Sequence, residues 1–157
     1  MKRFGLAAMA VLALAGTARA QSDDPTRPQP TLPTEALSIT SDSGKLYKFT
    51  VELPVTQAQQ DTGEMFRTLI PPDAGMLFMF PPPAADHPMW MKNCPVPEDM
   101  VFIGADGVIK GIAENTVPYS ETPIDSGTVL AVLELQGGIT ATDGISVGDK
   151  VTAKQFP

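Results

Sequence analysis

The stretch DMVFIGADGVIKGI, from Asp99 to Ile112, decides the fold class. Two apolar runs rich in Val and Ile flank the dipeptide Asp106-Gly107. An Asp-Gly pair between such runs predicts a β-hairpin, because the glycine readily takes the positive φ that a tight hairpin turn needs. We therefore expect antiparallel strands in the middle of the chain.

Outward from this hairpin, the sequence predicts short strands and little helix. Residues 45–53 alternate polar positions with Tyr47, Phe49 and Val51, which is the period-two pattern of a half-buried strand. Thr56 and Gln59 fit a capping box, which predicts a short helix over about 57–66. The fold class predicted is mainly β, a compact sandwich or small barrel-like domain of about six to eight short strands. The further strand candidates are 75–80, 88–92, 129–135 and 151–156.

The N-terminal region has the pattern of an export signal. Lys2 and Arg3 precede an apolar run over 4–16, and Ala18-Arg19-Ala20 follows in the small-x-small pattern of a cleavage site. We therefore expect residues 1–20 to be a signal peptide and the protein to be exported, to the periplasm or the extracellular medium. Pro-rich residues 21–33 are predicted to be a flexible tether, and 34–157 a single domain. No transmembrane segment is expected in the mature chain.

Composition narrows the classes of partner. The chain has 18 acidic and 11 basic residues, a formal net charge of −7. Such an acidic balance argues against nucleic acid, which is bound by basic surfaces. An unknown small ligand or an exported protein partner is therefore expected. Cys94 is the only cysteine, so no disulfide within the chain is possible.

Ordered motifs over about 59–151 resemble the DUF192 family, which is uncharacterised in function. The resemblance implies a compact β sandwich or barrel-like fold with a short helix, and an exported location, but no reaction. The sequence departs from the family pattern at Glu64, Cys94 and Glu98, where the family usually has Leu, Thr and Leu. These departures bear on any ligand that the family shares. The motifs lie at 59–67, 73–80, 90–93, 97–103 and 132–135, with Gly137 and Gly148-Asp149 after them.

A polar and aromatic run gives the first candidate binding site. In extended backbone Trp90 and Lys92 share one face, so that a ligand held by the Lys92 ammonium would lie against the indole. The alternative is structural, with Trp90 and Met91 in the core and Lys92 paired to an acid. Arg67 has the same two readings, either a bidentate ligand contact or a pair with Asp73 or Glu64. The candidate pocket is Arg67, Trp90, Lys92, Asn93, Asp99 and Glu134.

A metal site is the second candidate. His87, Met89 and Met91 alternate along the chain, so one strand face would present an imidazole and two thioethers. Soft ligands of this kind suit Cu(I), which makes a copper-handling module an alternative function. Methionine is also an ordinary core residue. Otherwise no cofactor is expected.

Catalysis is the third candidate. Asp99 and Glu134 are the carboxylates that we would pair as acid and base, and Cys94 with His87 is a conceivable nucleophilic pair. The sequence contains neither of the common hydrolase motifs Gly-x-Ser-x-Gly and His-Glu-x-x-His. We therefore expect a non-catalytic binding or accessory protein, with a carboxylate-dependent enzyme as the alternative.

Overall fold

The computed structural model describes residues 25–125 and 127–156. The predicted signal peptide and the first four residues of the predicted tether lie outside them. The described residues form nine strands and two short helices: β1 Thr34–Thr40, β2 Leu46–Glu52, α1 Gln57–Thr62, β3 Ala74–Met79, β4 Ala85–Asp86, β5 Glu98–Ile103, β6 Ile109–Ala113, β7 Thr128–Val129, β8 Ala131–Gln136, α2 Ile139–Asp143 and β9 Lys150–Thr152.

Seven of the strands form one mixed sheet in the order β6-β5-β8-β3-β2-β1-β9. The β2–β3 pair is parallel and the other pairs are antiparallel. An isolated antiparallel bridge joins Val108, just before β6, to Lys150 in β9. The two edges of the sheet therefore meet, and the sheet is strongly curled. The prediction of a mainly β fold is confirmed.

Local signals account for several elements. The hairpin turn between β5 and β6 contains Gly107 at φ +71°. The capping box of α1 is complete, since the Thr56 side chain accepts from Gln59 N and the Gln59 side chain accepts from Thr56 N. The last strand is shorter than predicted. Strand β1 is absent from the sequence prediction, although its buried Leu37 and Ile39 alternate with less buried neighbours.

The sheet has apolar side chains packed on both faces. The inner cluster takes residues from both edges of the curled sheet, including Ile109 and Val151. The outer cluster combines sheet residues with side chains from the segments that cover this face: Leu32, Met65, Met76, Phe78, Met91, Cys94, Met100, Phe102, Val129 and Val132. Side chains at alternate strand positions point to opposite faces, so register decides which cluster each residue joins.

The end of the predicted tether packs on the domain. Leu32 is buried, and its backbone N–H donates to Glu52 Oε2 at 2.7 Å. Gln29 Nε2 donates to the carbonyl oxygens of Gln59 and Gly63, at 3.1 and 2.9 Å. Polar contacts at Gln29 and apolar burial at Leu32 thus attach this part of the predicted tether to the domain. Within the described residues, neither helix has the length and apolar character that membrane spanning requires.

Candidate functional site

A cleft lies between the outer face of the sheet and the segments that cover it. Its volume is about 520 Å³, and its lining includes Phe78 of the sheet, Gln60 of α1, and Met89 and Trp90. A smaller pocket of about 30 Å³ shares these residues and also reaches Glu64, Cys94 and Glu134. The cleft therefore leads from an apolar and aromatic mouth to a small pocket with buried carboxyl groups.

Gly63 directs Glu64 into this pocket. It ends α1 at φ +47°, a conformation that L side chains rarely adopt. A Cβ atom at Gly63 would also lie 3.1 Å from the Phe78 ring. The chain can therefore turn tightly against the sheet, which leaves Glu64 only 3% exposed.

Sheet register brings two further carboxyl groups to the same face. Glu134 is paired with Met76 on one side and Met100 on the other, and both methionines belong to the outer cluster. Glu98 lies two residues from Met100 and points to the same face. Glu134 is 4% exposed and Glu98 is fully buried. Three acids from separate segments thus approach one another under the cleft.

Arg67 forms ion pairs with two acids. Its Nη1 and Nη2 donate to the two carboxylate oxygens of Glu52, at 2.6 and 2.9 Å. Its Nε lies 3.0 Å from Glu64 Oε2, an ionic contact without the alignment of a hydrogen bond. The structural pairing with Glu64 that the sequence suggested is present, whereas the main partner, Glu52, is 15 residues away and was not predicted.

The acids differ in how their pKa values move. Burial opposes ionisation of Glu52, but its bonds from Arg67 and Leu32 outweigh burial and lower its pKa. Burial raises the pKa of Glu64 to about 7, against the pull of Arg67. Burial and the charge of Glu64 raise the pKa of Glu98 to about 8. Burial, then repulsion from Glu98 and Glu64, raises the pKa of Glu134 well above its ordinary range. Buried carboxyls with raised pKa values in a cleft are typical of functional sites.

Asp99 does not join this cluster. In β5 it is paired with Leu135, one position from Glu134, so it points to the opposite face of the sheet. Its oxygens accept from the amides of Asn115, Gly138 and Thr140 and from the Thr140 hydroxyl, at 2.6–2.9 Å. Asp99 therefore holds loops together, and the structure does not bring it near Glu134 as the acid–base pair would require.

Trp90 and Lys92 lie on one side of the chain, as predicted, but the predicted strand over 88–92 is not formed: Met89 makes a single bridge with Ile124, and a turn follows at 92–93. Trp90 is 45% exposed, Met91 between them is buried, and Lys92 Nζ lies 5.3 Å from the centroid of the indole. Asn93 has φ +59°, and its carbonyl oxygen accepts from Phe66 N at 2.8 Å. Asn93 thus joins this segment to the chain that follows α1, and the cleft lies between the two.

The three residues of the copper hypothesis have different surroundings. His87 stacks on Phe80 with ring centroids 3.8 Å apart, and Met89 lines the cleft. Met91 is in the outer cluster, where its sulfur accepts from the Thr116 hydroxyl at 3.0 Å. Binding of Cu(I) by all three would have to break that bond, so the copper site stays a prediction. Among the described residues, no three His, Cys, Asp or Glu side chains are placed to hold a metal ion.

Cys94 is a buried thiol beside the acids. Its Sγ donates to the Lys92 carbonyl oxygen at 3.5 Å. Burial, with the negative charges of Glu98 and Glu134, strongly raises the pKa of the thiol. A nucleophilic thiolate is therefore disfavoured here. Cys94, Glu64 and Glu98, the three departures from the family pattern, all lie at this cluster, and they are the signal by which the sequence could have located it.

The chain is therefore a mainly β protein whose curled sheet has a carboxyl-lined cleft on its outer face. The DUF192 family model, described as an uncharacterized ACR, matches residues 38–153. The chain belongs to the DUF192 family.

Two solved structures are similar to the chain over nearly their whole length. One is a candidate transcription regulator from Sinorhizobium meliloti, 40% identical, with a TM-score of 0.77 over 82% of this chain and 99% of that one. The other is a protein of unknown function from Novosphingobium aromaticivorans, also 40% identical, with a TM-score of 0.74 over 88% of this chain and 99% of that one. No curated protein matches the sequence.

Proposed function

We propose that the protein is an exported, non-catalytic binding protein that holds a small ligand in the cleft beside Trp90. The observation that carries this proposal is the continuity between an open cleft of about 520 Å³ and a carboxyl-lined pocket beneath it. Concave, largely apolar sites with a few convergent polar groups are the usual form of ligand sites. The wall of the cleft combines apolar side chains and Trp90 with polar groups such as Gln60, Asp61 and Lys92, and the buried carboxyl groups line the smaller pocket.

Binding is favoured over the carboxylate-dependent enzyme by the position of the acids. Asp99, the proposed partner of Glu134, lies on the other face with its acceptors occupied by loop amides. The Cys94 thiol is buried with a raised pKa, which disfavours nucleophilic chemistry.

The relative from Sinorhizobium meliloti is described as a candidate transcription regulator, and proteins of that role commonly act on nucleic acid. The present chain carries 18 acidic and 11 basic residues, and its cleft ends in carboxyl groups. A phosphate backbone would be repelled by that charge. We therefore propose a small ligand in the cleft, and we do not extend the regulatory role of the relative to this chain.

A thermal-shift screen tests the binding function. A ligand at about a hundred times its dissociation constant adds roughly 2.7 kcal/mol of stability, enough to raise the melting temperature by several degrees. The panel contains small amines, alcohols, carboxylates, sugars, peptides and Cu(I). Trp90→Ala should abolish the shift, and Leu69→Ala, which alters an exposed residue outside the cleft, should leave it unchanged. A shift that survives Trp90→Ala would contradict the proposal.

Export is tested separately. When the full chain is expressed in a bacterium, the mature protein should appear outside the cytoplasm with Gln21 as its first residue. N-terminal sequencing of the exported fraction checks this, and full-length protein found only in the cytoplasm would contradict export.

A further inference from the structure

We infer, building on the proposed function, that the small pocket binds the ammonium head of a primary amine whose carbon chain lies along the cleft. The pocket has a volume of about 30 Å³, which leaves room for only a few groups the size of a water molecule. An ammonium group fits such a space, whereas a sugar ring is larger. Size therefore limits the pocket to a small polar head.

The charges around the pocket favour a cation. Asp61, Glu64 and Glu134 line it, with Lys92 as the basic residue of the lining. Behind them Arg67 carries a positive charge, but both of its Nη atoms are already bonded to Glu52. A ligand carboxylate would favour the protonated forms of these acids further, whereas a cation would stabilise their ionised forms. The titratable and charged groups at this place are Glu52, Asp61, Glu64, Arg67, Lys92, Cys94, Glu98 and Glu134.

Unsatisfied acceptors give an independent reason to expect a donor. Within the described part of the chain, Glu64 Oε2 has the ionic contact with Arg67 Nε at 3.0 Å but no aligned hydrogen bond, and neither oxygen of Glu98, which lies behind the pocket beside Cys94, has an aligned hydrogen bond. Glu64 lines the pocket at 3% exposure, and Glu98 is fully buried. Buried polar atoms without partners are unfavourable, because they have lost their hydrogen bonds to water. An ammonium group brings three donors and no acceptor, which suits a pocket of acceptors.

The wall of the cleft fits the rest of such a ligand. Met65, Phe78, Met89 and Trp90 line both the cleft and the pocket, so a short carbon chain would remain in apolar contact along its length. The indole of Trp90 already has the Lys92 ammonium 5.3 Å from its centroid. Aromatic rings attract cations in this way. A primary amine with an alkyl chain is therefore complementary to the site, because its carbon chain contacts the apolar wall of the cleft and its ammonium group contacts the acids of the pocket.

Binding of a cation should release protons. Burial keeps Glu64 and Glu134 protonated to higher pH than is usual for glutamate, as their raised pKa values record. A bound ammonium group would stabilise their ionised forms. Amine binding should therefore release close to one proton near pH 6, and affinity should rise by up to about tenfold per pH unit between pH 5 and 7. A neutral ligand releases none.

Calorimetry with three ligands of equal length tests the inference. Butylamine, butanol and butyrate share a carbon chain and differ in the head group. We expect butylamine to bind at least about tenfold more tightly than the other two, with a binding enthalpy that depends on the ionisation enthalpy of the buffer. Glu134→Gln should weaken butylamine by at least about tenfold and leave butanol unchanged. Glu114→Gln, at an exposed residue outside the pocket, is the matched control.

Several results would overturn the inference. Butanol or butyrate could bind as tightly as butylamine, butylamine could bind without proton release, or none of the three could give heat at millimolar concentration. Circular dichroism checks that Glu134→Gln is folded, and proton release by the unmodified protein decides the matter if it is not. Tight binding of butanol or butyrate would support the proposed binding function and contradict the inference of an amine ligand. The thermal-shift screen tests the binding function independently of the head group.

Discussion

Glu98→Gln should make the stability of the protein less sensitive to pH. Glu98 is fully buried, and its pKa rises from 4.5 to about 8 because burial and the charge of Glu64 disfavour ionisation. The folded state therefore binds more protons than the unfolded state between these two values. The contribution of Glu98 to stability is greatest below pH 4.5 and is lost progressively as pH rises toward 8.

The size of the effect follows from the interval between the ordinary pKa of Glu98 and the pH of the measurement. At pH 7, which lies 2.5 units above the ordinary pKa of 4.5, Glu98 has lost its proton in the unfolded chain and kept it in the folded chain. At about 1.4 kcal/mol per unit, Glu98 costs the folded state about 3 kcal/mol relative to pH 4.5. Gln has nearly the same shape and does not ionise. Relative to the unmodified protein, the variant should therefore gain about 3 kcal/mol between pH 4.5 and pH 7.

Urea unfolding followed by circular dichroism measures this gain. With slopes of about 1–3 kcal/mol per molar urea, the midpoint of the variant should move up by about 1–3 M relative to the unmodified protein at pH 7. The exposed Glu114→Gln is the control and should change stability by less than about 0.5 kcal/mol at each pH. A stability difference between Glu98→Gln and the unmodified protein that is equal at pH 4.5 and pH 7 would refute the reasoning.

Three further predictions concern the neighbouring groups. Asp99→Ala removes the acceptor of four hydrogen bonds, so the free energy of unfolding should fall by about 3 kcal/mol or more; an unchanged urea midpoint would contradict this. Arg67→Lys cannot reproduce the bidentate contact with Glu52 and should cost about 1–3 kcal/mol at pH 7. Because that contact lowers the pKa of Glu52, its stabilisation is present above pH 4.5 and fades as pH falls through the lowered pKa, so urea midpoints of the variant and the unmodified protein should converge in acid. Cys94 is buried with a raised pKa, so a disulfide reagent should label it only in denaturant; labelling of the folded protein as fast as free cysteine would show that the thiol is accessible.

Local chemistry predicted the elements of the fold well. The Asp106-Gly107 turn, the capping box at Thr56 and the alternation over 45–53 each act within a few residues, and all three are found in the structure. The proximity of Trp90 and Lys92 is also local, although the predicted strand over 88–92 is replaced by a single bridge at Met89 and a turn at 92–93. Strand order was not predictable in this way, because the parallel β2–β3 pair connects segments separated by α1.

The composition of the candidate site depended on contacts that are distant in sequence. Asp99 and Glu134 both carry a carboxyl group and have similar strand contexts, and only the register of β5 against β8 places them on opposite faces. Arg67 meets Glu52 because α1 and its final glycine return the chain to the sheet. Glu64 and Glu98 were recorded as departures from the family pattern, but their proximity required the folded sheet.

Fluorescence of Trp90 tests the central claim most directly. Trp90 is the only tryptophan of the chain and lies at the mouth of the cleft. The emission therefore reports on this one place. We predict that any ligand which raises the melting temperature also changes the Trp90 emission, with the same dissociation constant as calorimetry. A stabilising ligand that leaves the emission unchanged at saturation would show that the binding site is elsewhere.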